Sequence, residues 1–113
     1  MLPRKLKIPK SLIPNVLKKG KNCPSPSLLT KILPISESKD SKFLVIISKK
    51  VAKKAVDRNH IKRLVYEAVQ FYLKNIKPGF LILFTPQKDS VKTNLEGFKT
   101  EIKEVLIKNN LLI

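Results

Sequence analysis

A cluster of basic side chains near the middle of the chain has the chemistry to bind phosphate groups. Between Ser48 and Glu67 the only acidic residue is Asp57. The basic residues there are Lys49, Lys50, Lys53, Lys54, Arg58, Lys62 and Arg63. Lysine and arginine donate charge-assisted hydrogen bonds, so a cluster with so few acids indicates a polyanion such as nucleic acid as its partner. The alternative is a charged face that water alone solvates, although such faces usually mix both signs.

A strand and a helix must position this cluster. The run from Phe43 to Ile47 is short, apolar and rich in β-branched residues, which predicts a buried strand. After the cluster, apolar residues recur at steps of three and four and predict an amphipathic helix: Ile61, Leu64, Val65, Ala68 and Tyr72. We predict Asp57 as its N-cap, a start near Arg58 and an end near Asn75. The opposite face of this helix should carry Arg58, Asn59, Lys62, Arg63 and Tyr66.

The sequence offers little for catalysis by the polypeptide itself. His60 is the only histidine, and no serine or cysteine is placed beside it. The acids are scattered, so no carboxylate pair for two-metal hydrolysis is visible. Three glycines form no phosphate-binding loop, and Cys23 is the only cysteine. We therefore expect no catalytic residue, metal or cofactor in the protein, and we interpret His60 as an RNA-facing surface residue.

The basic helix also carries a family motif. Lys49-Lys50, followed by Arg58-Asn59-x-Ile61-Lys62-Arg63-Leu64 and Glu67, resembles the signature of the bacterial ribonuclease P protein subunit. That signature is an Arg-Asn-Arg core, then x-Lys-Arg, then Arg-Glu. His60 stands where the family has Arg or Lys, and Tyr66 where it usually has Arg.

The resemblance implies an accessory subunit of an RNA-based endoribonuclease. In that family the catalytic RNA, with Mg²⁺ bound to the RNA, cleaves precursor tRNA to free the 5′ end of mature tRNA. The protein binds the catalytic RNA and the 5′ leader of the precursor. The resemblance and the basic cluster together assign RNA binding to Lys49, Lys50, Lys53, Lys54, Arg58, Asn59, His60, Lys62, Arg63 and Tyr66.

The first 22 residues contain seven cations and no acid. Pro14 is compatible with the first turn of a helix, so we predict a short helix from about Ser11 to Lys19 that ends at Gly20. Ile13, Val16 and Gly20 fall on the family's Phe-x-x-Val-x-x-x-Gly pattern, with Leu17 where a second aromatic is common. The resemblance therefore implies a leader cleft at Ile13, Leu17 and Lys31. Packing of Ile13 and Leu17 in the core is the alternative.

The remaining patterns complete the predicted fold. Residues 21–27 indicate a loop, whereas residues 28–33 and 80–84 indicate strands. Thr93-x-x-Glu96 is a capping-box pattern before a last helix with mixed, solvated charges. Its apolar stripe is Leu95, Phe98, Ile102, Val105 and Leu106. The order of elements predicts one α+β domain over residues 1–113, a small sheet covered by helices. The resemblance adds a left-handed strand–helix–strand crossover.

The totals agree with an RNA-binding protein. The 113 residues are 42% hydrophobic and carry a net charge of +16, which favours a folded domain with a polyanionic partner. No signal peptide or membrane span is visible, so we expect a cytoplasmic protein without a membrane partner. Two other hypotheses fit the charge: a ribosomal or other structural RNA-binding protein without a processing role, and a DNA-binding regulator.

Overall fold

The computed structural model describes residues 2–113, and its centre is a four-stranded mixed sheet. The strands are β1 (Lys21–Pro24), β2 (Leu28–Pro34), β3 (Lys42–Val45) and β4 (Phe80–Pro86), in the order β1-β2-β4-β3. The helices are α1 (Ile13–Lys19), α2 (Ala55–Tyr72) and α3 (Leu95–Lys108). Strands β3 and β4 are parallel and the other pairs antiparallel. Because α2 connects the two parallel strands, a crossover exists as predicted, and its left hand stays a prediction.

Both faces of the sheet are covered by apolar side chains, as the α+β class requires. Alternate residues of β4 point to opposite faces, so Ile82 and Phe84 belong to one buried cluster and Leu81 and Leu83 to another. The first and larger cluster includes the apolar stripes of α2 and α3. The second includes Val16 of α1. The strand predicted over residues 80–84 is therefore present as β4, and it is buried on both sides.

Three predicted boundaries are wrong. Residues 21–24 form β1, although we predicted a loop there, because they pair with β2 from Lys21 opposite Ile32 to Pro24 opposite Leu29. Helix α2 begins at Ala55, so Asp57 lies inside its first turn and not at the N-cap. The predicted capping box makes Thr93 the N-cap of α3, but the N-cap is Asn94, whose side-chain oxygen accepts from the Gly97 amide at 2.8 Å.

Gly20 ends α1 as predicted, but for a steric reason. Its φ of −65° is one that any residue can adopt. A β-carbon at this position would lie 2.5 Å from the Val16 carbonyl oxygen and 3.1 Å from the β-carbon of Lys31. Only glycine therefore lets the end of α1 pack this closely on β2. This contact fixes α1 against one face of the sheet.

The prediction that the charges of α3 are all solvated is wrong at Glu101. This side chain is only 8% exposed. Its Oε1 accepts from the Ser25 hydroxyl and from the Ser27 amide, both at 2.7 Å. A buried carboxylate needs such donors to offset its lost hydration. Glu101 therefore fastens the β1–β2 connection to α3.

The Glu101→Gln substitution should destabilise the fold by about 1–2 kcal/mol, because charged hydrogen bonds are stronger than neutral ones. Urea denaturation gives the measurement. Glu104→Gln is the matched control, since Glu104 is an exposed acid on the same helix. Equal unfolding midpoints for the two variants would contradict this role.

Candidate RNA interface

Residues 48–54, here called the basic loop, present four exposed lysines on an ordered turn. The turn starts at Ser48, whose carbonyl accepts from the Val51 amide at 3.1 Å and whose hydroxyl accepts from the Lys50 amide at 3.1 Å. Val51 and Ala52 are half-buried against the larger apolar cluster. The exposed lysines are Lys49, Lys50, Lys53 and Lys54. Apolar side chains thus anchor the loop while its cations face solvent.

Arg58 is turned back toward the basic loop. Its Nη1 donates to the carbonyl oxygens of Ala52 at 2.9 Å and of Lys53 at 2.7 Å. The Arg58 amide also donates to the Lys54 carbonyl at 3.1 Å. The side chain is half-buried. Arg58 therefore holds the end of the loop, a role that its position in the motif did not predict.

The first half of α2 continues the positive surface. Asn59 and Arg63 are exposed, as predicted for the outer face, whereas Lys62 on the same face is half-buried. His60 is exposed, as predicted for a surface residue. Within residues 2–113 the only ion pair at 4 Å or less joins Lys99 to Glu96, far along the chain in α3. The cations of the loop and of α2 are thus not neutralised by a contacting carboxylate. Their charge is available to phosphate groups.

A groove of about 730 Å³ runs between α2 and the edge strand β3. It is lined by Lys7, Leu44, Val45, Asn59, Lys62, Arg63, Tyr66 and Glu67. Lys7 reaches it because the Ile8 amide donates to the Phe43 carbonyl at 3.1 Å, which lays the N-terminal segment along β3. Sequence reasoning missed Lys7 as a site residue. The signal was the acid-free charge of the first 22 residues.

The prediction that Tyr66 lies on the exposed face of α2 is wrong. Tyr66 is 5% exposed and belongs to the larger apolar cluster. Its hydroxyl accepts from the Val45 amide at 3.1 Å, and Lys7 Nζ lies 5.6 Å from its ring centroid. The reason is that β3 covers this flank of α2, which a helical wheel cannot show. Tyr66 therefore forms the floor of the groove.

Burial raises the pKa of the Tyr66 phenol above its usual 10.0, and the bond from the Val45 amide opposes that shift. The unfolded chain releases this proton at lower pH, so the stability from Tyr66 should be lost as the pH rises above 10. Tyr66→Phe should remove this pH dependence. It should also cost about 1–3 kcal/mol at neutral pH, since the buried Val45 amide loses its acceptor.

Urea denaturation across pH measures both effects. Tyrosinate absorbance follows the titration directly, because the chain has two tyrosines and no tryptophan. Tyr72→Phe leaves Tyr66 as the only signal and is the matched control. A Tyr66 phenol that titrates at or below its usual value would contradict the burial seen here.

Of the three residues predicted for the leader cleft, the structure brings two together and sets the third apart. Ile13 is half-buried and packs against the second apolar cluster, so it serves partly as core. Leu17 is 47% exposed and is available to a ligand. Lys31, on the neighbouring strand β2, donates from Nζ to the Leu17 carbonyl at 3.1 Å. Leu17 and Lys31 are thus brought together at the end of α1.

Comparison with known proteins identifies the family. A family model described as ribonuclease P matches residues 2–110. The ribonuclease P protein component of Synechocystis sp. is 30% identical over 90 residues, covering 80% of this chain and 73% of the relative. That of Rippkaea orientalis is 32% identical over 101 residues, covering 86% and 80%. The solved ribonuclease P protein of Staphylococcus aureus has a TM-score of 0.82 at 18% identity, covering 96% and 98%.

The chain belongs to the ribonuclease P protein family. The fold and the protein-subunit function predicted from the motif are thereby confirmed, and the hypothesis of a ribosomal or other structural protein is not supported. As a ribonuclease P protein, the chain works in an endoribonuclease complex and associates with ribonuclease P RNA. Of its two departures from the family signature, His60 is exposed and Tyr66 is buried.

The described part of this ribonuclease P protein has neither a metal-binding cluster nor a membrane-spanning helix. No group of three or more His, Cys, Asp or Glu side chains in residues 2–113 is arranged to hold a metal ion. Over the same residues, no helix combines the length and the apolar character that crossing a membrane would require. The individual RNA contacts of the site residues stay predictions.

Proposed function

We propose that the protein acts as an RNA-binding subunit of ribonuclease P whose catalytic centre lies in the RNA partner. The basic loop and the exposed face of α2 would bind phosphates of the catalytic RNA. The Mg²⁺ that the reaction uses would be held by that RNA. The observation that carries this proposal is the row of cations on the loop and on α2 that contact no carboxylate within residues 2–113, beside a groove lined by a single acid, Glu67.

The geometry suits a structured RNA. Asn59, Lys62 and Arg63 share one face of α2, and a helix packed on a sheet keeps its side chains at fixed spacing. Fixed cations can follow a phosphate path, and phosphate contacts set the orientation of a protein on nucleic acid without reading sequence. Each neutralised phosphate also releases counterions, which adds binding free energy at low salt.

We propose that the 5′ leader of precursor tRNA binds on the α1 side of the sheet and extends toward the groove. Leu17 offers exposed apolar surface there, with Lys31 beside it. At the groove, Leu44 is half-buried and Lys7 supplies positive charge. A channel with apolar patches and cations tolerates many sequences, because it contacts base faces and phosphates. We also propose that the protein works in the cytoplasm, together with its RNA partner.

Reconstitution with a bacterial ribonuclease P RNA tests the proposal. At low Mg²⁺ the protein should raise the rate at which precursor tRNA is cleaved, because its cations offset repulsion between two RNAs. The Lys62→Ala, Arg63→Ala double variant should weaken assembly by about tenfold or more. Its stability should change by only about 0.5 kcal/mol, since both side chains lie off the apolar face of α2.

A matched control is the Lys103→Ala, Lys108→Ala variant, which removes two exposed cations from α3. It should assemble far better than the α2 variant. Equal losses for both variants would mean that only net charge matters. Cleavage by the protein without any RNA subunit would place the catalytic centre in the polypeptide and overturn the proposal.

A further inference from the structure

The backbone of the basic loop is fastened at both ends. At its start, Ser48 accepts from the amides of Lys50 and Val51. At its end, the Arg58 guanidinium is the side chain that binds the loop, through the consecutive carbonyls of Ala52 and Lys53. No other side-chain hydrogen bond to the carbonyls of residues 49–54 is found in the part of the chain that the structure describes.

We propose that Arg58 is a positioning residue, which orders the basic loop in the free protein so that its four lysines meet RNA phosphates as a fixed array. This inference rests on the proposed RNA-binding function. A loop that was mobile before binding would lose its backbone freedom on the RNA, and that loss weakens binding. A loop already held by Arg58 avoids most of it.

The chemistry of arginine suits this position better than that of lysine. The two hydrogens of Nη1 diverge in the guanidinium plane, so one nitrogen can serve two carbonyls at 2.9 and 2.7 Å. Bonds from a charged donor are also stronger than those between neutral groups. Among the described residues, Nε and Nη2 of Arg58 donate no hydrogen bond to a protein acceptor, so one phosphate can still bind the same side chain.

Arg63 provides a matched comparison on the same helix. It is exposed, whereas Arg58 is half-buried, and no hydrogen bond from its guanidinium to residues 2–113 is found. Loss of either arginine removes one positive charge from the surface. Only loss of Arg58 also frees the carbonyls of the loop. The two roles of an arginine, contact and positioning, can therefore be told apart.

Hydrogen exchange in the free protein tests the ordering without any RNA. In Arg58→Gln, the amides of Lys50, Val51 and Ala52 should exchange at least about tenfold faster than in the unmodified protein. In Arg63→Gln they should not change. The amides of α3 report global unfolding and should keep their rates in both variants. If Arg58→Gln unfolds the chain, Arg58→Lys gives the same comparison. Unchanged loop exchange in a folded Arg58 variant would overturn the proposal.

The salt dependence of RNA binding tests the consequence. A plot of log affinity against log salt has a negative slope, and loss of one phosphate contact reduces the magnitude of that slope by about 0.9 at most. If Arg58 positions the lysines, Arg58→Gln should reduce the magnitude of the slope by about two or more. Arg58→Lys keeps the charge but should not restore the slope of the unmodified protein. When Lys53→Gln is added to the Arg58→Gln variant, the affinity for RNA should then fall by less than about twofold.

A slope change of about one, with full rescue by Arg58→Lys, would make Arg58 a simple phosphate contact and overturn the positioning role. Failure of the unmodified protein to bind ribonuclease P RNA would instead contradict the proposed function. The exchange result on the free protein would still decide whether Arg58 orders the loop. The two failures are thus distinguishable.

Discussion

Binding of this protein to ribonuclease P RNA is expected to weaken by about a thousandfold or more when monovalent salt rises from about 50 to about 200 mM. The reason is counterion release from each phosphate that a cation neutralises. Six cations on the basic loop and α2 form no ion pair in the described part of the chain, and this number suffices for an effect of that size. They are Lys49, Lys50, Lys53, Lys54, Lys62 and Arg63.

The measurement is a series of binding titrations at increasing salt with a ribonuclease P RNA. Replacement of the four loop lysines by Gln should reduce the magnitude of the slope of log affinity against log salt by about three to four, at about 0.9 per contact. The Lys103→Gln, Lys108→Gln variant is the control for net charge and should leave the slope close to that of the unmodified protein. A nearly flat salt dependence would show that water alone solvates the basic cluster.

The elements with strong apolar periodicity were predictable from the sequence. Strand β2 and helices α2 and α3 each bury a regular apolar stripe, and the run from Phe80 to Phe84 in β4 is apolar throughout. The predicted positions of these elements therefore agree with the structure to within a few residues. Strand β1, from Lys21 to Pro24, has no alternation of apolar and polar side chains. It is a strand only because β2 offers hydrogen-bonding partners. A tertiary cause of this kind leaves no local signal.

The composition of the site was predictable, but the roles within it were not. A helical wheel assigns Arg58 and Tyr66 to one outer face of α2. A helical wheel cannot show that the basic loop folds back over the start of the helix, where Arg58 binds the carbonyl oxygens of the loop. It also cannot show that β3 lies along the other end of this face, where the Val45 amide meets the Tyr66 hydroxyl. Both contacts depend on the crossover from β3 to β4, which only the fold defines.

The cations of the site differ in how far they could be assigned from the sequence. Lys49, Lys50, Lys53 and Lys54 needed no structure to be assigned as a cation cluster, because acids are so rare around them. Lys7 is distant in sequence and joins the groove only through the bridge between residue 7 and Phe43. Long-range assembly of this kind explains why Lys7, the N-terminal wall of the groove, was missed.

The Leu17→Phe substitution should tighten binding of precursor tRNA that carries a 5′ leader, by about 1–3 kcal/mol, which is roughly fivefold or more. The family commonly has an aromatic residue near this position, and an aliphatic side chain cannot stack on a base. Leu17 is 47% exposed, so a larger ring fits without entering the core. Ile13→Phe should help less, because Ile13 is half-buried against the second apolar cluster and overpacking costs stability.

Paired titrations with precursor tRNA and mature tRNA measure the effect, because contacts to the tRNA body cancel between the two RNAs. The gain for Leu17→Phe should appear only when the leader is present. Ile107→Phe is the matched control, since Ile107 is a comparably exposed aliphatic side chain on α3, and it should favour neither RNA. If Leu17→Phe strengthened binding of both RNAs equally, the end of α1 would contact the tRNA body or the catalytic RNA, and the leader would have to bind elsewhere on the sheet.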